Sequence, residues 1–319
     1  MQGILLCGLV FLLASLQPAF SQIPIPVSNA EGHLFAPVTT ISKAVNEVDL
    51  AFTVTDKRGH FIGNLRPDDF ALLDNNTAPE RLTLFQQRSD LPLHLAVLID
   101  ASDSVKGRFK FEQEAALSFI RNILRPGIDS AFVVTFNDQV KTVQELTDKR
   151  AKVSKALKKA TATGNTALYD ALIFVSDKLR QIPEHQLTRR GIILLSDGVD
   201  TIHRSALERA KEAVARAQTT VFSVSTNIAT DQGDPQGDPV LKDLAQSTGG
   251  IFLSGGDDEH LQSAFHDVRR ALHNQYVIAY HPDAFQADGS YHTIEVLPRK
   301  HGLRANCRKG YYALVRAIR

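Results

Sequence analysis

Apolar positions along this chain follow two different rhythms, and the changes between them mark its organisation. Between Val48 and Phe85 the runs are short and alternating. Val48–Thr55, Phe70–Asp74 and Arg81–Phe85 are separated by turn formers such as Asp56-Lys57-Arg58-Gly59 and Asn75-Asn76-Thr77-Ala78-Pro79. Period-two alternation with that punctuation predicts an antiparallel β unit, with Pro67 opening a short helical turn. From Leu91 the texture changes. The stretch His94–Ile99, continuously apolar from Leu95, follows Pro92 and reads as a strand buried on both faces. Phe109–Leu124 carries apolar residues at helical spacing and stops at Pro126-Gly127. Strands at Ala131–Phe136, Val140–Leu146 (an edge), Gly191–Gly198, Thr219–Ser225 and Gly250–Leu253 then alternate with helices. The helices fall at Lys149–Ala160, Ala167–Leu179, Ala206–Ala217, Val240–Thr248 and His260–Asn274. This alternation predicts an α/β fold: a doubly wound, mostly parallel sheet with helices on both faces.

After Asn274 the short rhythm returns in Gln275–Tyr280, Tyr291–Leu297 and Leu303–Tyr312, with no helices to cover these strands. We expect them to pair with the strands at Val48–Phe85. The α/β domain is then inserted in a small antiparallel β-sandwich built from the N- and C-terminal flanks. The expected organisation is a signal peptide at 1–21, a linker at 22–45, the sandwich's first part at 46–90, the α/β domain at 91–274 and the sandwich's second part at 275–319. The signal peptide rests on the apolar run Ile4–Leu16 and the small residues of Ala19-Phe20-Ser21; an uncleaved anchor is the alternative. The leader implies a secreted, periplasmic or cell-envelope protein, and no later segment has the length and apolarity of a membrane span.

Composition narrows the function. A net charge of +1, from 36 basic and 35 acidic residues in 319, gives no case for nucleic acid. Behind a cleaved leader Cys307 is the one cysteine left, which excludes a disulfide framework and a cysteine-based zinc site. The scattered histidines have no metal-ligand spacing. Asp231, Asp234 and Asp238 offer acids in a Gly- and Pro-containing loop that reads as solvated. Asp257 and Asp258 read as partners of a helix N-terminus.

The chemistry gathers where strands end. The strand at His94–Ile99 runs into Asp100-Ala101-Ser102-Asp103-Ser104. In parallel sheets the ligand crevice lies beyond the carboxyl ends of the strands. Asp100, Ser102 and Ser104 offer hard oxygens there, suited to Mg²⁺ or Ca²⁺. Taken alone, the loop is equally readable as an Asx turn and helix cap. Two further loops change that balance: Gly164-Asn165-Thr166 at a helix start, and Ser196-Asp197-Gly198 at the end of another strand. Five candidate metal ligands follow: Asp100, Ser102, Ser104, Thr166 and Asp197. With only two acids among them, a bound cation stays partly uncompensated and open to an incoming carboxylate.

These loops resemble those of von Willebrand factor type A (VWA) domains. Their metal-ion-dependent adhesion site (MIDAS) has an Asp-x-Ser-x-Ser loop, a later Thr and a later Asp. The resemblance covers about 91–274. The flanking Val45-Asn46-Glu47-Val48, Asp68-Asp69-Phe70 and Arg308-Lys309-Gly310-Tyr311-Tyr312 are similar to the VWFA-related Acidobacterial domain family of exported bacterial proteins. By that resemblance Ser102, Ser104 and Thr166 would coordinate the metal directly, and Asp100 and Asp197 partly through water. The metal would be Mg²⁺, with Ca²⁺ or Mn²⁺ as alternatives, and a protein partner's Asp or Glu would complete the shell. Asn165 stands where Gly is common, which left-handed backbone at Asn would accommodate. Two rival readings are a structural envelope domain whose loops only cap helices, and a metal-dependent phosphohydrolase. The latter chemistry needs a second acid two residues after the first, where this chain has Ser102. We therefore expect a binding module, not an enzyme.

Overall fold

Two flanks of the chain, nearly two hundred residues apart, meet in one pair of sheets. The structure, a computed structural model, describes residues 47–87, 91–183, 188–227, 236–254, 258–283 and 285–314. The expected signal peptide and linker, and Asp231, Asp234 and Asp257, lie outside the described residues. The first flank gives β1 (Val48–Thr55), a 3-10 turn at Pro67–Asp69, β2 (Phe70–Asp74) and β3 (Arg81–Gln87). The central region runs β4 (Leu93–Asp100), α1 (Phe109–Ile123), β5 (Ser130–Phe136), β6 (Val140–Thr147), α2 (Arg150–Lys159) and α3 (Leu168–Arg180). It continues with β7 (Arg189–Ser196), α4 (Leu207–Arg216), β8 (Thr220–Ser225), α5 (Asp238–Ser247), β9 (Phe252–Leu253) and α6 (Asp258–His273). The second flank adds β10 (Tyr276–His281), β11 (Tyr291–Pro298), β12 (Arg304–Cys307) and β13 (Gly310–Tyr312).

The central sheet has the order β6-β5-β4-β7-β8-β9. All its pairings are parallel except β5 with β6, which places β6 at an edge as expected. Alternation along β4 explains why its run is apolar throughout. Leu93, Leu95, Val97 and Ile99 face one core with α1, α2 and α6; Ala96 and Leu98 face the other with α3, α4 and α5.

The flanks form a four-stranded antiparallel sheet, β12-β1-β10-β3, and a three-stranded one, β13-β11-β2. Val48 pairs with Tyr280 and Phe52 with Tyr276. The two sheets share a core of Leu50, Phe52, Phe70, Leu72, Tyr276, Ile278, Ile294 and Val296. Phe85, Tyr276 and Phe52 stack in sequence, with ring centroids 5.5 and 5.4 Å apart. At one end of this core the Asp74 carboxylate accepts from the hydroxyls of Tyr280 and Tyr311, each at 2.8 Å, and His292 Nδ1 lies 2.9 Å from it. A single carboxylate thus ties the first flank to three strands of the second.

Two expectations about strands are corrected. The run Leu303–Tyr312 is not one strand but two, β12 in the larger sheet and β13 in the smaller. The chain changes sheets at Arg308-Lys309, where Lys309 N donates to Ser247 O and Arg308 Nη2 to Asp49 O. Gly250–Leu253 contributes only Phe252 and Leu253 to the central sheet. A Cβ on Gly250 would lie 1.8 Å from Val221 O, so the backbone there makes close packing instead of a ladder. Asp238 does not sit in a solvated loop. It opens α5 and accepts hydrogen bonds from Ser225 Oγ at 2.6 Å and Asn227 Nδ2 at 2.8 Å.

Candidate functional site

β4 and β7 are parallel neighbours that end level with one another, at Asp100 and Ser196. Asp100 is fully buried, with 0% of its surface exposed. Its Oδ1 accepts the Ser102 N–H at 3.0 Å, and its Oδ2 accepts the Ser196 hydroxyl at 2.7 Å. Burial pushes the carboxyl up to about 6; hydrogen bonds from Ser102 and Ser196 pull against that, and the Asp197 charge adds to it. Among the described residues no cationic side chain pairs with Asp100.

The loop after β4 brings the other hydroxyls together. Ser102 is buried and Ser104 is exposed, and their Oγ atoms lie 2.9 Å apart. The threonine loop is fastened alongside, with Thr163 N donating to Ala101 O at 2.7 Å and Asp103 N to Gly164 O at 2.9 Å. Thr166 is buried, and its backbone is held by Thr201: its N–H donates to Thr201 Oγ1 at 2.8 Å and its carbonyl accepts the Thr201 N–H at 2.9 Å. Asp197, half-buried, accepts the Val199 N–H at 3.0 Å. Its backbone lies against Gly237, where a Cβ would sit 1.8 Å from Asp197 O. Gly198 has φ +81°, and a Cβ there would meet Gly237 O at 2.3 Å, so both positions require glycine.

Direct hydrogen bonds therefore join Asp100, Ser102 and Ser104. Asp197 acts on Asp100 through its charge, and Thr166 reaches the β7 side through Thr201. None of the loop hydroxyls caps a helix. α1 begins after Arg108 and α3 after Ala167, and neither start has a side-chain cap. The helix-cap half of the alternative is set aside by that geometry, while the Asx-turn half is present, since Asp100 Oδ1 accepts the N–H two residues on. The left-handed residue of the threonine loop is Gly164, φ +86°, and not Asn165. Asn165 instead donates from Nδ2 to Asp138 Oδ1 at 2.8 Å.

Ser196, Thr201 and Asp200 were not among the sequence candidates. Asp200 is buried and accepts the Tyr169 N–H at 3.2 Å and the His203 N–H at 2.7 Å, bracing the loop after β7 against α3. Ser196 had a readable signal: it closes β7 as Asp100 closes β4. A metal fits this donor set. Among the described residues no three His, Cys, Asp or Glu side chains gather to hold an ion. The candidate set has two acids and three hydroxyls, the hard-oxygen mixture of Mg²⁺ or Ca²⁺ and not of a soft metal. Its buried carboxylate also lacks a countercharge among the described residues.

Residues 95–199 match the family model described as von Willebrand factor type A domain. A solved structure, von Willebrand factor type A from Catenulispora acidiphila, is similar with a TM-score of 0.50 at 16% identity, over 78% of this chain and 73% of that one. BatB, a conserved hypothetical protein from Bacteroides thetaiotaomicron, is similar with a TM-score of 0.47 at 12% identity, over 56% of this chain and 98% of that one. Proximal thread matrix protein 1 from the mussel byssus, with a zinc-occupied MIDAS motif, has a TM-score of 0.48 at 19% identity, over 63% of this chain and 50% of that one. No curated protein matches the chain.

Proposed function

We propose that the von Willebrand factor type A domain this chain carries is an adhesion-type, metal-dependent protein-binding module, exported to the cell envelope or beyond. The observation that carries this reading is the Asp100 carboxylate. It is fully buried at the end of the central strand, raised to about 6, without a cationic partner among the described residues, and beside two hydroxyls 2.9 Å apart. Burying an anion without a countercharge is costly, and a divalent cation relieves that cost.

In this reading Asp100, Ser102, Ser104, Thr166 and Asp197 hold the ion, Mg²⁺ with Ca²⁺ or Mn²⁺ as alternatives. The ion supplies an open Lewis-acidic position that takes an Asp or Glu carboxylate of a protein partner. The chain's own residues do the positioning. Ser196 and the Ser102 N–H fix the Asp100 carboxylate, Thr201 fixes the backbone of Thr166, and Gly198 with Gly237 fixes the turn that carries Asp197. No helix among the described residues is long and apolar enough to cross a membrane. The export assignment rests on the leader alone.

The test is calorimetric titration of Mg²⁺ into the whole chain. Wild type is expected to bind one ion, and Ser102→Ala or Thr166→Ala to weaken binding by an order of magnitude or more with unchanged circular dichroism. Absence of divalent binding to wild type at millimolar concentration overturns the proposal.

A further inference from the structure

Helix α2 carries charge of one sign only. Of its ten residues five are Lys or Arg and none is acidic. Lys149, which precedes it, and Lys152, Lys155 and Lys159 fall on one stripe at i, i+3 and i+4 steps, with Lys158 beside them; all five are exposed. Like charges at that spacing repel along a helix, and cations at its N-terminus oppose the helix dipole. No ion pair among the described residues offsets this. On the neighbouring strand β6, Glu145 is taken by Lys178 at 2.6 Å. The cations at the other end are not needed as caps either, because Gln113 Nε2 donates to both Leu157 O and Ala160 O at 2.7 Å. The opposite face has its structural role: Val153, Ala156 and Leu157 are buried in the core and Arg150 Nε donates to Leu124 O.

The helix also leads straight into the candidate site. Four residues after Lys159 comes Thr163, whose N–H bonds the carbonyl of Ala101 in the first metal loop. The chain thus runs from the lysine stripe into the loop bonded to Ala101 and Asp103, beside Ser104, the exposed hydroxyl of the candidate set. From this we infer that α2 is the second half of the docking surface, and that its occupant is an acidic segment of a protein partner. One carboxylate of that segment goes to the metal site and further Asp or Glu residues lie along Lys152, Lys155 and Lys159. The inference rests on the proposed function for the destination of the first carboxylate. The lysine stripe is testable apart from it. Continuity with the carboxylate-accepting site favours an acidic polypeptide over an anionic lipid surface as the partner, and the experiment distinguishes the two.

The probe is a fluorescein-labelled peptide of alternating Glu and Gly, followed by anisotropy with the whole chain, in EDTA and in Mg²⁺. The variants are K152E/K155E/K159E and, as a control of equal charge change on the flanking strands and turns, K57E/R299E/K300E, all at exposed positions. Wild type and the control triple are expected to bind, more weakly as salt rises past ~0.1 M, where exposed charges are screened beyond about 10 Å. The α2 triple is expected to bind at least tenfold more weakly in both buffers. Mg²⁺ should tighten binding of wild type and control. If Mg²⁺ has no effect while the α2 triple still loses binding, the metal reading fails and the stripe stands. Equal binding by the two triples, or no binding by wild type, overturns the inference. So does α2-dependent binding to phosphatidylglycerol vesicles without binding to the peptide.

Discussion

The metal-free protein should become more stable when Asp100 loses its charge. An aspartate in the unfolded chain titrates near 3.8, while burial raises Asp100 in the folded protein to about 6. The folded state therefore holds the proton more tightly than the unfolded one. Below pH 3.8 the carboxyl is neutral in both states and costs nothing. Between 3.8 and about 6 stability falls as pH rises, and above that the full cost applies. A gap of about two pKa units corresponds to ~3 kcal/mol at pH 7. Asp100→Asn keeps the shape: Oδ1 can still accept the Ser102 N–H, and the amide can donate to Ser196 Oγ in place of the present bond. We expect the variant to gain roughly 1–3 kcal/mol in EDTA at pH 7.5, a rise in Tm of about 1.5–5 °C for a chain of this size. At pH 4 the difference between variant and wild type should nearly vanish. Adding Mg²⁺ should raise the wild-type Tm and leave the variant unmoved. Scanning calorimetry at the two pH values, with and without the ion, reads all three. A variant that is less stable than wild type in EDTA at pH 7.5, or a gain that persists unchanged at pH 4, refutes the account of Asp100 as an anion awaiting a cation.

Other perturbations follow from the same geometry. Ser196→Ala removes the hydroxyl that holds Asp100 Oδ2; it should weaken Mg²⁺ binding severalfold by calorimetry and cost roughly 1.5–3 kcal/mol of stability at pH 7.5, because a buried carboxylate loses a donor. Gly237→Ala forces a Cβ to 1.8 Å from Asp197 O, so it should displace the Asp197 turn and abolish ion binding while far-ultraviolet circular dichroism is retained; undiminished binding would contradict that role. Tyr280→Phe and Tyr311→Phe each delete a hydrogen bond to the buried Asp74 carboxylate and should each cost roughly 1.5–3 kcal/mol in chemical denaturation, with the double variant departing from additivity because both bonds share one acceptor.

How much of this was legible in the sequence depends on how local the signal is. The central sheet could be read because a strand covered on both faces is a continuous apolar run, and β4, β5 and β7 each show one. The candidate site could be read because Asp100 and Asp197 close such runs, and a strand end is a position that alternation and length locate well. Ser196 went unremarked because it looks like the last residue of a strand; only its place beside Asp100 across the β4–β7 pairing gives it work. Thr201 acts on Thr166 from another loop, and nothing in the spacing of the two says so. Asn165 was expected to take the left-handed conformation, but Gly164 beside it takes that conformation at no steric cost, which frees the Asn165 amide for Asp138. The split of Leu303–Tyr312 into two sheets was hidden for a different reason: it is imposed by α5 and β1, which bond the chain at Lys309 and Arg308. The cluster of Asp74, Tyr280, His292 and Tyr311 was the least legible feature. Its members are spread over more than two hundred residues, and a carboxylate, an imidazole and two phenols carry no recognisable spacing until the strands pair.

Those paired flanks have a mechanical consequence for the proposed capture of a partner. β4 enters the central sheet at the end opposite Asp100, and α6 leaves it for β10 near the same end. A pull on the candidate site therefore runs down to the flanking sheets through two chain connections at once. There it meets β1, whose first half, Val48–Phe52, pairs with β10 and whose second half, Phe52–Thr55, pairs with β12. Tension drawn between a partner held at that site and the chain before Val48 would act along β1, so its ladder with β10 is loaded lengthwise instead of opening one bond at a time. Such a shear-loaded strand is the arrangement that gives way last.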